Sequence, residues 1–227
     1  MTISEQEREG LLTIDLGAVA DNYIWLRRQL HRESECGAVV KADAYGLGVA
    51  QVAPALYEAG CRQFFVATQR EGEQLRGILS GPATIYVLTG VRPGCERACA
   101  AANLIPVLVT GEHLRRWCDE TRGMGGDDGL AAPAALKVDS GMTRLGMGEE
   151  EFADLLAQPA LLRRANLQLV LSHLACADEA GHSQNALQQK AFADMVGRLR
   201  QVCPGLPASL ANSAGICLGE DFQFELV

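Results

Sequence analysis

Val39-Val40-Lys41-Ala42-Asp43-Ala44-Tyr45-Gly46 sets a lysine at the end of an apolar run and directly before a polar, glycine-containing loop. This is the pattern of a buried strand feeding a loop, and its apolar half recurs along the chain. Runs rich in β-branched or aromatic residues occur at 38–40, 64–67, 84–88, 105–109, 135–138, 167–171 and 208–211. Their starts lie roughly 20 to 40 residues apart, room each time for a strand, a helix and two loops. Near-continuous apolar character, rather than strict alternation, suits strands buried on both faces of a parallel sheet.

Helical patterns fill the intervals. Leu16, Val19, Tyr23, Leu26 and Leu30 form one apolar stripe ahead of the first strand, and Phe192, Met195, Val196 and Leu199 form another. Pro54 falls inside a third helical stretch, which is expected to kink there or to begin later. The glycine-rich segment 123–133 reads as an exposed loop. Seven βα units and the apolar start of an eighth, Phe224-Glu225-Leu226-Val227, predict a TIM-type (β/α)8 barrel. Its eighth strand is cut short at residue 227. A doubly wound open sheet is the rival, but this number of strands at this spacing fits the barrel better. The expectation is one barrel domain over 1–227, with two sheet edges left open unless something covers them.

Bulk properties narrow the function. Of the 227 residues, 48% are hydrophobic and 21% charged, an ordinary globular balance able to bury one substantial core. A net charge of −8 argues against a nucleic-acid surface, which needs a basic patch. No apolar run reaches the about 18 residues needed to span a bilayer, so no membrane partner is expected. The start of the chain, Met1 to Gly10, is acidic and polar, the wrong composition for a secretory signal. Eight cysteines include no Cys-x-x-Cys pair, which speaks against structural zinc and for reduced thiols in a cytoplasmic protein.

Barrels of this type collect their chemistry on the loops after the strands. Those positions carry Lys41 and Tyr45 after the first strand, and Lys137, Asp139, Ser140, Gly141, Met142 and Arg144 after the fifth. Ser172 and His173 follow the sixth, Asn212 and Ser213 the seventh. An amine at the end of a buried strand loses hydration, which favours the neutral nucleophile that a Schiff-base lysine must be; a plain surface lysine is the alternative. Arg144, in a glycine-containing turn, offers planar donors to a carboxylate or phenolate oxygen. A lone histidine such as His173 is more often a satisfied core residue than a catalyst. Zinc is disfavoured there because His182, the next histidine, is nine residues away. Asn212-Ser213 at a helix start can cradle a phosphate or simply cap the helix.

Four strings together give a resemblance. Val40 to Gly48, Lys137 to Gly146, Leu171 to Asp178 and Ala211 to Gly215 closely resemble segments of the alanine racemases. Ile14-Asp15-Leu16, Ala18-Val19 and Asn22 resemble that family's N-terminal signature, so the likeness covers nearly the whole chain. Leu47 and Thr143 depart from it, standing where histidine and glycine respectively are common. The resemblance implies pyridoxal 5′-phosphate held as a Schiff base on Lys41, interconversion of L-alanine and D-alanine, and a role in supplying peptidoglycan. It assigns Tyr45, Asn212 and Ser213 to the phosphate, His173 and Leu88 to the ring, Arg144 to the ring hydroxyl and, with Met142, to the substrate. Lys137 supports Arg144, in some members as a carbamate, and no metal is implied. The family also has a C-terminal β domain that gives a homodimer its second acid/base, a tyrosine, and an Arg-Pro-Gly segment just beyond residue 227. Lacking these, the chain alone is expected to be a poor racemase. Two alternatives stand beside this reading: a non-catalytic single-domain pyridoxal-phosphate protein, and a racemase preferring serine or a broader range of amino acids.

Overall fold

The computed structural model describes residues 12–126 and 129–227. Seven parallel strands lie in sequence order: β1 (Ala38–Val39), β2 (Gln63–Val66), β3 (Thr84–Val87), β4 (Ile105–Leu108), β5 (Ala134–Lys137), β6 (Leu167–Leu171) and β7 (Ala208–Ser209). Helix α1 (Leu16–Arg28) precedes β1 and is capped by Asp15, whose carboxylate accepts from the Ala18 N–H at 3.0 Å. A short helical turn, α2 (Lys41–Tyr45), and α3 (Val49–Glu58) follow β1; α4 (Gln69–Ile78), α5 (Glu96–Ala101) and α6 (Gly111–Glu120) follow β2, β3 and β4. Helices α7 (Glu149–Leu156) and α8 (Pro159–Arg164) separate β5 from β6, and α9 (Ser183–Arg200) and α10 (Ser213–Ile216) follow β6 and β7. This is the TIM-type α/β barrel that the sequence predicts.

Alternation along the strands splits the core in two. Phe65, Tyr86, Val107, Val109, Ala135, Leu169, Leu171 and Leu226 fill the barrel interior. Their neighbours, among them Ala38, Val40, Phe64, Ile85, Leu108, Leu136 and Val170, pack outward against the helices. Phe65 and Tyr86 stack across β2 and β3 with ring centroids 4.6 Å apart. Four of the eight cysteines, Cys36, Cys61, Cys99 and Cys118, are buried among apolar side chains, and none is in a disulfide.

Three expectations need correction. The edges are not left open, because residues 225–227 sit between β7 and β1. The Leu226 N–H donates to Ala208 O at 3.1 Å, while Glu35 N–H donates to Glu225 O at 2.9 Å and Gly37 N–H to Val227 O at 2.7 Å. Of the two expectations for Pro54, the later start does not hold: helix α3 starts at Val49 and runs through Pro54 to Glu58, the ring removing one donor there without ending the helix. The described part of the segment 123–133 is exposed only at Gly123 and Gly126. Ala131 and Ala132 are buried, with the Trp117 indole donating to Ala132 O at 2.8 Å.

A cavity of about 340 Å3 lies at the N-terminal end of the strands, lined in part by Glu35, Gln63, Tyr86 and Glu225. None of the candidate site residues borders it. Among the described residues no helix is long and apolar enough to cross a membrane.

Leu226 is 4% exposed and is the side chain that the closing segment contributes to the interior. Leu226→Ala is expected to lower the urea midpoint, with a cost of about 2–5 kcal/mol typical of a buried leucine. A midpoint equal to that of the parent chain would show that 225–227 do not close the barrel.

Candidate active site

Period-two alternation sets the site. A residue two positions beyond an inward-facing one faces inward as well, one step nearer the C-terminal mouth. Tyr86, Ala135 and Leu171 belong to the interior, so Leu88, Lys137 and His173 line the mouth above them. Lys41 has the same parity as Val39, between the outward-packed Ala38 and Val40 and just beyond the latter. Val39 is 43% exposed, which marks the mouth as open on that side.

The chain turns sharply after Lys41. Ala42, Asp43, Ala44 and Tyr45 have φ of 52°, 55°, 54° and 56°, a left-handed turn where the sequence suggested only a loop. Each L-residue in that conformation costs roughly 1–2 kcal/mol, so the turn needs support. Asp43 supplies part of it, its carboxylate accepting from Val49 N–H at 2.7 Å and its carbonyl from Gly48 N–H at 2.9 Å. Glu71 supplies more. It completes a capping box with Thr68 at the start of α4, and its other oxygen accepts from Ala42 N–H at 3.3 Å. The result holds Tyr45 with its ring centroid 5.7 Å from Lys41 Nζ, within cation–π reach. Tyr45 itself is 63% exposed.

The loop after β5 is a second built turn. Asp139 N–H donates to Met147 O at 2.8 Å and Met147 N–H to Lys137 O at 3.0 Å, pinching residues 139–147 into a closed excursion. The Asp139 carboxylate accepts from Gly141 N–H at 2.9 Å and Thr143 N–H at 3.0 Å. Gly146 has φ of 123°, and a Cβ there would lie 2.8 Å from the Val138 carbonyl carbon, so only glycine fits. Thr143 has φ of 53°, which accounts physically for glycine being common at this position in the resembling family. The loop presents the half-buried Met142 and the exposed Arg144.

Positive charge concentrates here. Lys137 is 8% exposed; burial lowers its pKa, Arg144 and Lys41 add to the effect, and Asp139 opposes it. Burial also pushes His173 down to about 4, helped by the charges of Lys137, Arg144 and Lys41. Lys41, Lys137, Arg144 and His173 are therefore close enough to feel one another, as the sequence grouped them, and the imidazole is neutral near pH 7.

Asn212 and Ser213 are exposed at the start of α10. The Asn212 side chain accepts from Gly215 N–H at 2.9 Å, so it caps the helix. Among the described residues no hydrogen bond ties Leu88, Met142, Asn212 or Ser213 to the lysines. Sequence reading named Ser140 and Ser172 without a role, and their hydroxyls lie 2.7 Å apart beneath the mouth. It missed Gln184 and Gln188 on α9, which nothing but the fold distinguishes from surface glutamines. It also missed Glu71, although Thr68-x-x-Glu71 carries a legible capping signal.

Histidine NMR on the chain is expected to show His173 titrating near 4, and Lys137→Met to move that midpoint upward. The unfolded histidine binds protons from about 6.5 downward, the folded one only near 4. Stability from this group is thus whole above about 6.5 and is lost as pH falls toward 4. A His173 midpoint of 6.5 or above would contradict the buried, cation-lined geometry.

Residues 14–227 match the family model for the alanine racemase N-terminal domain. An alanine racemase of Brucella ovis is 43% identical over 230 residues, covering 100% of this chain and 56% of the relative. One from Methylobacterium nodulans is 48% identical over 219 residues, covering 95% and 55%. Among solved structures, alanine racemase from Bartonella henselae with covalently bound pyridoxal phosphate superposes with a TM-score of 0.86 at 39% identity, covering 94% of this chain and 60% of that one. The chain spans a little over half the length of the curated relatives it matches. On the extent of that match and the agreement in fold, the chain belongs to the alanine racemase N-terminal domain family.

Proposed function

We propose that residues 1–227 are the cofactor-carrying barrel of a pyridoxal-phosphate-dependent alanine racemase, which interconverts L- and D-alanine and so supplies D-alanine for peptidoglycan. One observation carries the reading: Lys41, Lys137 and Arg144 crowd positive charge around a neutral His173 at one barrel mouth. Asp139, the carboxylate that offsets Lys137, already accepts two backbone N–H groups. Such a mouth favours an anionic ligand with a flat ring, and pyridoxal phosphate, bound covalently in the Bartonella henselae protein, has both properties.

In this reading Lys41 would hold the cofactor through Nζ, and the same amine would take or return a proton at the substrate Cα on one face. Bound pyridoxal phosphate supplies a conjugated ring that stabilises negative charge developing at that carbon. His173, neutral at physiological pH, offers the ring a flat face without a charge, and Leu88 borders it. Arg144 presents its planar donors to the ring hydroxyl and the substrate carboxylate, Lys137 supports it from below, and Met142 lines the substrate side. Tyr45, Asn212 and Ser213 attend the phosphate. Asn212 does so by fixing the α10 backbone, since its own oxygen caps that helix.

Lys41, Lys137 and Lys190 are the lysines of the chain, which makes the assignment sharp. Pyridoxal 5′-phosphate is expected to give a visible absorbance that borohydride abolishes, leaving the pyridoxyl group on the Lys41 peptide. Lys41→Ala is expected to lose the band. Label on Lys137 or Lys190, or no label, overturns the reading. Racemisation requires a second acid/base on the opposite face, and the resembling family draws that group from a region outside the matched residues. The loaded chain alone is accordingly expected to exchange the Cα proton of alanine with solvent faster than it racemises. A racemisation rate equal to that of the longer relatives would contradict this division of labour.

A further inference from the structure

Helix α9 turns two glutamines, one helical turn apart, toward the mouth. Gln188 is 0% exposed. Its amide nitrogen donates to His173 O at 2.9 Å and stands 3.5 Å from Ser140 Oγ, and its oxygen accepts from Ala175 N–H at 2.8 Å. Ser140 is itself joined to the sixth-strand loop, its hydroxyl 2.7 Å from Ser172 Oγ and its N–H donating to the same oxygen at 3.3 Å. Gln184 donates to Gly141 O at 3.0 Å. One helix face thus holds the backbone on both sides of Leu174, through His173 O and Ala175 N–H, and the start of the excursion that carries Met142 and Arg144.

Burying an amide is costly unless its atoms are paired. An apolar side chain of equal volume would fill the same space but leave the His173 carbonyl and the Ala175 N–H without partners. The amide therefore serves geometry at this position, and packing alone does not call for it. Gln188 is fully buried and the Gln184 amide donates to the Gly141 carbonyl, so both act on the backbone of the loops.

We propose that Gln188, assisted by Gln184, is the positioning residue of the site: it locks the loops after β5 and β6 together and so fixes His173 relative to Lys137 and Arg144. The proposal rests on His173 and Arg144 being the residues that hold the cofactor, but its test does not require cofactor. In the chain itself, burial and the charges of Lys137, Arg144 and Lys41 lower the proton affinity of the His173 imidazole. Freed from its backbone anchor, the ring moves away from these charges and toward solvent, and its proton affinity rises.

The measurement is the pH titration of His173 by histidine NMR, assigned with His173→Asn. Gln188→Met is expected to raise the His173 midpoint by about one pH unit, a tenfold change in proton affinity. Gln189→Met is the matched control on the same helix, because Gln189 donates to Asp221 O at 3.0 Å, in a segment that carries none of the candidate residues. It is expected to leave the midpoint in place. Should Gln188→Met not fold, Gln184→Ala at a half-buried position carries the same readout, with a smaller upward step. An unmoved midpoint in the folded Gln188 variant, or equal movement in the Gln188 and Gln189 variants, overturns the proposal. Failure of the parent chain to take up pyridoxal 5′-phosphate would sink the functional reading and leave this titration to judge positioning independently.

Discussion

Like charges held close together at the barrel mouth are the constraint on which the rest of this structure depends. Beyond the effect of burial, Arg144 and Lys41 lower the proton affinity of Lys137, all three cations lower that of His173, and the opposing carboxylate, Asp139, is committed to backbone N–H groups. A flexible loop would relax such repulsion by letting the side chains drift apart. A barrel resists, because Lys137 is the last residue of a strand paired through Lys137 and Leu171 to its neighbour, and Lys41 comes one residue after Val40, which β2 holds through its N–H on Phe65 O.

The loops are treated in the same way. Four consecutive left-handed residues after Lys41 and the pinched excursion of 139–147 are both unfavourable in isolation, and in each an acidic side chain gathers nearby N–H groups. Asp43 and Glu71 brace the first, Asp139 the second. Gly146 then allows the excursion to return against Val138 without a collision. These carboxylates accept their hydrogen bonds from the backbone, and of the three Asp139 also offsets part of the charge acting on Lys137, so the turns stay fixed while the mouth keeps a cationic excess.

The fold was legible because parallel strands buried on both faces announce themselves as apolar runs, and the lysine motifs sit where those runs end. The same rule sets Lys41, Lys137, Arg144 and His173 at one end of the strands, where the charges of the other three act on His173. Closure of the barrel was not legible, since Leu226 between two neighbours looks the same in sequence as a strand with an open edge. The α2 turn was hidden as well: Ala42-Asp43-Ala44-Tyr45 contains no glycine to advertise positive φ. Gln188 was invisible for a different reason. Its amide matters through the carbonyl of His173, and a backbone partner leaves no residue type to read. For Asn212 the sequence allowed either phosphate contact or capping, and the structure assigns its side chain to capping.

The central claim is that the cation-rich mouth exists to hold one anionic ring against Lys41. A crystal structure of the chain grown with pyridoxal 5′-phosphate tests it most directly. Continuous density from Lys41 Nζ to a ring lying against His173, with its phosphate at the start of α10, is the expected result. A ring bound at the opposite end of the barrel, or a mouth whose lysines and arginine point away from the ligand, would contradict the account.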